Sequence, residues 1–215
     1  MPKTDKTNKV KNILIELNKK FGTPKCALDY STPFELLVSV ILSAQCTDIR
    51  VNMVTKEMFK KVNTPAGFVN MPIEEIENLI KSTGFFRNKA KNIKLCSTQL
   101  LEKYDGQIPK EMDNLIELAG VGRKTANVVR GEIWGIADGI TVDTHVKRLS
   151  NLIGLVDNLD DPTKIEQELM KIVPQKDWIN FSHCLILQGR DKCIARRPKC
   201  DECEINKYCN FGSNK

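Results

Sequence analysis

The sequence predicts an all-α protein, and three observations carry that prediction. Apolar residues recur three and four positions apart along most of the chain. No stretch alternates apolar and polar residues in the manner of a half-buried strand. The joints between periodic stretches are short and marked by glycine or proline, as connections between packed helices are.

Taken in order, Val10, Ile13, Leu14, Leu17 and Phe21 fall on one helical face. "TPFELLVSVIL" follows, with Thr32 as N-cap, Pro33 in the first turn and Glu35 three residues after the cap, the pattern of a capping box. Phe34, Leu37, Val38, Ile41 and Leu42 keep the helical spacing. "PIEEIENLIKSTG" starts at Pro72 and stops at Gly84, and "RNKAKNIKLCSTQLLEKYDG" stops near Gly106. "KEMDNLIEL" (110–118) places Leu115 and Leu118 three apart and reads as a helix. In "THVKRLSNLIGL" Asp143 is the candidate cap; in "DPTKIEQELMKIV" it is Asp161, with Ile165, Leu169, Ile172 and Val173 on one side. His183, close in sequence to Trp178 and Phe181, reads as a core histidine. After Asp191 the periodicity ends and cysteines cluster.

At 215 residues the chain can bury a sizeable core as one large domain or two small ones. A net charge of +6 is mildly basic and compatible with a polyanionic partner. The N-terminal "MPKTDKTNKVK" lacks the apolar core of a signal peptide, and the longest apolar run, from Leu36 to Thr47, falls well short of the roughly 20 residues that span a bilayer. The expected setting is cytosolic or nuclear, a reducing compartment where eight cysteines act as metal ligands or buried side chains and not as disulfides.

"AGVGRKTANVV" (119–129) looks like a phosphate cradle. It is not the cradle of an ATPase. That loop needs a glycine separated by four residues from its Gly-Lys pair and a strand in front; position 117 is glutamate, Gly122 is followed by Arg123, and the preceding segment is helical. The alternative is a helix–hairpin–helix, with a turn through Gly120, Val121 and Gly122 and a second helix from Arg123. Glycine permits backbone angles closed to other residues, and the N–H groups of Gly122, Arg123, Lys124 and Thr125 lie where a helix dipole favours an anion such as one DNA phosphate. Lys124 sits in the first turn beside Arg123. Both effects disfavour its ammonium form, and a neutral amine is a nucleophile; the plainer reading is a lysine that only binds phosphate.

"CIARRPKCDECEINKYC" spaces Cys193, Cys200, Cys203 and Cys209 by six, two and five residues. One iron–sulfur cluster held by four thiolates fits better than a zinc site, which more often uses two Cys-x-x-Cys pairs, though spacing alone leaves zinc open. Cys26, Cys46, Cys96 and Cys184 lie in apolar context and read as buried helical side chains. Between the first two ligands, "IARRPK" carries Arg196, Arg197 and Lys199 and no acid, a surface loop or a DNA backbone contact.

Together, "LLVSVILSAQCTD" (36–48), "STGFFRNKAKNI" (82–93), "LAGVGRKTANVV" (118–129), "TVDTHVKRL" (141–149) and the cysteine spacing resemble the endonuclease III family of DNA glycosylases. The resemblance implies two helical domains: a six-helix barrel with the helix–hairpin–helix at 26–136, and a 4Fe-4S cluster domain formed by 1–25 and 137–215, with DNA in the cleft between them. It implies a monomeric, cytoplasmic (nucleoid-associated in a bacterium or archaeon) bifunctional glycosylase and AP lyase. Its partner is double-stranded DNA with damaged bases, oxidised pyrimidines above all, or abasic sites. Lys124 matches the catalytic lysine and Asp143 the catalytic aspartate. Gln45 matches the residue that fills the gap left by a flipped base. Phe85 matches the wedge, where an aliphatic residue is more usual. His145 is expected as a structural or phosphate contact. Ala119 replaces a common proline, and one extra residue separates Lys124 from Asp143. Two rivals stay open on sequence: a DNA-binding module with the cluster as redox sensor, and a monofunctional mismatch glycosylase.

Overall fold

In the computed structural model, residues 3–212 are described, and among them the regular structure is helical with no strand. The chain divides into two compact units, Cys26–Trp134 and Met1–Lys25 with Gly135–Lys215.

The first unit holds α2 (Pro33–Ser43), α3 (Asp48–Met58), α4 (Pro65–Asn70), α5 (Ile73–Ile80), α6 (Phe86–Tyr104), α7 (Met112–Ile116) and α8 (Arg123–Trp134), with α1 (Lys3–Phe21) preceding it in the other unit. α2 is buried from Phe34 to Leu42 on every side, so it runs through the core instead of lying on it. It packs on α3, α6 and α8, and α6 packs on α4 and α5. Thr32 caps α2 by accepting from Glu35 N–H. The return arm of the expected capping box reaches one residue further, where Ser31 N–H donates to Glu35 Oε2 at 2.6 Å. Thr47 and Thr64 cap α3 and α4 the same way.

The second unit adds α9 (Thr144–Ile153), α10 (Pro162–Met170) and α11 (Trp178–Asp191) to α1. α11 is its spine, packed on α9 and α1. The apolar face of α1 expected from sequence is buried at Val10, Ile13, Leu14 and Leu17. Lys9 is buried too: it donates to the carbonyl of Ile153 at 2.6 Å and to Asn210 Oδ1 at 2.9 Å, closing the end of α9. His183 is half-buried and not core, because its ring nitrogen lies 3.0 Å from the carbonyl oxygen of Pro24 at the edge of the unit. Cys96 and Cys184 are buried in helices, whereas Cys26 and Cys46 are half-buried in the loops flanking α2. Their apolar neighbours in sequence belong to the helix, and the loops do not share its burial.

Candidate functional site

The hairpin is built between α7 and α8. α7 is shorter than the 110–118 expected, because Leu118 N–H reaches back only three residues to Leu115, which tightens the chain out of the helix. Gly120 adopts φ 78°, and a β-carbon there would stand 2.9 Å from Cβ of Asn92 on α6. Gly122 differs from the expectation: its φ is not left-handed, and a β-carbon would meet nothing within 4 Å. Its absent side chain leaves open space in front of the helix. Gln99 of α6 clamps the turn from behind, accepting from Ala119 N–H at 2.8 Å and donating to the carbonyl of Glu117 at 3.2 Å. The first helical bond of α8 is Ala126 N–H to Gly122 O, so the N–H groups of Arg123, Lys124 and Thr125 have no helical acceptor. Arg123 and Lys124 are exposed and Thr125 half-buried. Lys124 has no hydrogen bond or ion pair among the described residues. The hairpin therefore offers three N–H donors, the positive end of a helix dipole and a free primary amine at one place.

Gln45 and Phe85 belong to the same unit. Gln45 lies between α2 and α3 at φ 54°, and Phe85 precedes α6 at φ 47°. Both are exposed, Phe85 at 67%. A left-handed glutamine and a left-handed phenylalanine are each strained, and such strain gathers at functional positions. Nothing in the sequence pattern reveals it.

Asp143 belongs to the other unit, at the N-terminus of α9. Its Oδ1 accepts from the N–H groups of His145 and Val146 at 2.9 and 2.8 Å. Both bonds use one oxygen, which leaves Oδ2 available for other chemistry. His145 follows, half-buried with its ring against Gly189 of α11, where a β-carbon would stand 2.7 Å from Nδ1. Burial holds the imidazole below its usual range, partly opposed by the Asp143 carboxylate.

The four clustered cysteines are half-buried: Cys193 just past the end of α11, and Cys200, Cys203 and Cys209 on two single turns of 3-10 helix and their flanks. Cys193, Cys203 and Cys209 lie near enough to feel one another's charge. Burial pushes the thiols of Cys193 and Cys203 up, Arg148 opposing it at Cys193. Among the described residues no three His, Cys, Asp or Glu converge to hold a single metal ion. Four half-buried thiols on one short segment, three of them within reach of one another's charge, fit the four-thiolate ligand set of an iron–sulfur cluster. Two helical residues that the sequence did not single out support them. The fully buried amide of Gln188 donates to Cys203 Sγ at 3.2 Å, and Arg148 donates to the carbonyl of Cys193 at 2.6 Å. Arg196, Arg197 and Lys199 are exposed on the loop between Cys193 and Cys200, which closes through Lys199 N–H to Lys192 O at 2.9 Å.

Comparison with known proteins adds to this geometry. The family described as "HhH-GPD superfamily base excision DNA repair protein" matches residues 38–175, and "Iron-sulfur binding domain of endonuclease III" matches residues 193–209. Endonuclease III of Synechocystis sp. is 50% identical over 95% of this chain and 93% of its own length. Endonuclease III of Escherichia coli strain K12 is 39% identical over 95% and 97%. A solved non-covalent endonuclease III–DNA complex and a trapped endonuclease III–DNA covalent intermediate are each 42% identical, superpose with a TM-score of 0.91, and cover 100% of this chain and 98% of their own. A thermostable thymine-DNA glycosylase at 23% identity and a TM-score of 0.83 shares the fold.

Proposed function

Because the chain belongs to the endonuclease III family of the HhH-GPD superfamily, we propose that Lys124 and Asp143 carry its chemistry. The protein is a bifunctional DNA glycosylase and AP lyase of base excision repair, with DNA as partner and a 4Fe-4S cluster as cofactor. The observation that carries the residue assignment is the free amine of Lys124 beside three unpaired N–H groups at the start of α8.

The chemistry follows from the groups. A damaged nucleotide must leave the stack before an amine can reach its sugar. The N–H groups of the hairpin seat a backbone phosphate next to Lys124. The Lys124 amine attacks C1′, the bond from C1′ to the base breaks, and the base leaves with the electron pair and takes up a proton. The Asp143 carboxylate offsets the positive character developing on the sugar, and its free Oδ2 accepts the proton that the lysine gives up. The C1′–O4′ bond then breaks, O4′ taking the electron pair and a proton, and the open-chain Schiff base so formed acidifies C2′–H. Loss of that proton expels the 3′ phosphate and cuts the strand on the 3′ side. Gln45 fills the gap left by the nucleotide and Phe85 wedges the neighbouring step. Cys193, Cys200, Cys203 and Cys209 would hold the cluster. When bound it would supply redox capacity and fix the ends of the loop of Arg196, Arg197 and Lys199, whose cations would then meet DNA phosphates. One chain carries every group this scheme needs, so we take the monomer as the working form and oxidised pyrimidines as the substrates.

Lys124→Gln tests the reading. Borohydride trapping on damaged duplex should vanish and base release fall on the order of a thousandfold or more, with duplex affinity little changed. Trapping by the variant would put the nucleophile elsewhere, and binding without trapping by the unmodified protein would restore the DNA-binding module. Asp143 serves as cap and as charge, and two substitutions separate these. Asp143→Asn keeps a capping oxygen and should slow base release by roughly 100-fold with an unchanged melting temperature. Asp143→Ala should add a loss of about 1 kcal/mol of stability.

A further inference from the structure

Lys89 is a charged side chain, 5% exposed, in the first unit. Its ammonium donates to the carbonyl of Leu42 at 2.8 Å and to that of Thr83 at 2.7 Å. Among the described residues its acceptors are these two main-chain oxygens, and neither is a carboxylate. Burying an ammonium without a counter-charge is costly, so its position calls for a reason. Leu42 lies in the last turn of α2, three residues before Gln45; Thr83 lies two residues before Phe85. After Leu42 the chain leaves the helix in a turn, where Cys46 N–H bonds back to Ser43 O; after Thr83 it enters α6, whose first bond runs from Lys89 N–H to Phe85 O. One ammonium thus ties together the stems of the two loops whose tips hold left-handed, exposed residues. It also satisfies a carbonyl at the C-terminus of α2, where a cation is favoured.

We propose that Lys89 is a positioning residue for base extrusion: it fixes the separation of Gln45 and Phe85 so that the pair can replace a flipped nucleotide in the duplex. The proposal rests on the reading of Gln45 and Phe85 given above. A fixed spacer matters most where a paired base must be pushed out. It matters least where the base is already missing.

The test compares two single-turnover rates at saturating, cluster-loaded enzyme, one on a duplex with thymine glycol opposite adenine and one on the same duplex with a pre-formed abasic site. For Lys89→Met, of similar length and without the charge, the ratio of the first rate to the second should fall at least tenfold. The fluorescence rise of 2-aminopurine beside the lesion should fall with it. An unchanged ratio, whether both rates drop together or neither drops, overturns the proposal and leaves Lys89 a structural lysine. If Lys89→Met does not fold, the same ratio for Lys89→Gln, which is polar but one bond shorter and so does not span both carbonyls, decides the question by the same criterion. Gln45→Ala and Phe85→Ala are the controls. If they leave the ratio unchanged, the reading of those two residues fails. If they lower it and the Lys89 variant does not, only the role of Lys89 fails.

Discussion

The hairpin around Gly120 and the cysteine segment from Cys193 to Cys209 are both short, irregular and furnished with exposed cations, yet they hold their shapes by different means. The hairpin is fixed by the chain itself: Gln99 clamps it through two hydrogen bonds, Asn92 packs beneath Gly120, and Leu118 and Val121 are buried. The cysteine segment has two single turns of 3-10 helix, and Ile205 is its one buried apolar side chain. Its other ties are polar: Arg148 and Gln188, the ion pairs of Glu202 with Lys192, Glu204 with Lys20 and Lys207 with Glu16, and the bond from Phe211 N–H to Leu152 O. The first is a shape encoded in side chains. The second is a shape completed by a cofactor, in which ligand binding and local folding are one process.

The largest test of that contrast is Cys203→Ser. The variant should lose visible absorption and acid-labile sulfide, and limited proteolysis should cut between residues 193 and 209 while the helices of 26–134 stay protected. An uncut segment would show that it stands without the cluster. Next comes the hairpin. Gly120→Ala forces a left-handed alanine against Asn92 and should cost about 2 kcal/mol in thermal unfolding, whereas Gly122→Ala should cost under about 0.5 kcal/mol. Equal costs would mean that the hairpin is not held by packing at Gly120. The smallest effect concerns the cations of the pinned loop. Arg196→Ala with Lys199→Ala should flatten the slope of log affinity against log salt by about one to two units, on damaged and undamaged duplex alike. An unchanged slope would mean that the loop does not touch the DNA backbone.

What could be read from sequence was local. The caps at Thr32, Asp143 and Asp161 each need only a hydroxyl or carboxylate two or three residues before its target, and all three form. Lys124 and the clustered cysteines stood out in the sequence for the same reason, since each lies in one short motif. Cys46 shows the limit, since apolar neighbours along the chain did not make it helical or fully buried. Lys9, Lys89, Gln99 and Gln188 show it more sharply. Each is an ordinary polar residue in sequence, and its importance depends on distant carbonyls, amides or thiols that the fold brings to it. The left-handed backbone at Gln45 and Phe85 was invisible too, because neither residue type signals that conformation.

Lys9 on α1 also bears on the order in which the protein assembles. Its acceptors lie 144 and 201 residues further along the chain, so α1 has nothing to dock on until most of the polypeptide exists. Residues 26–134 form a compact unit of their own in the meantime. During synthesis the hairpin unit can therefore finish while Val10, Ile13, Leu14 and Leu17 still face water. The unit that holds the cysteines is closed by the longest loop in the molecule, which makes its folding slow and its unfinished form the one most exposed to aggregation.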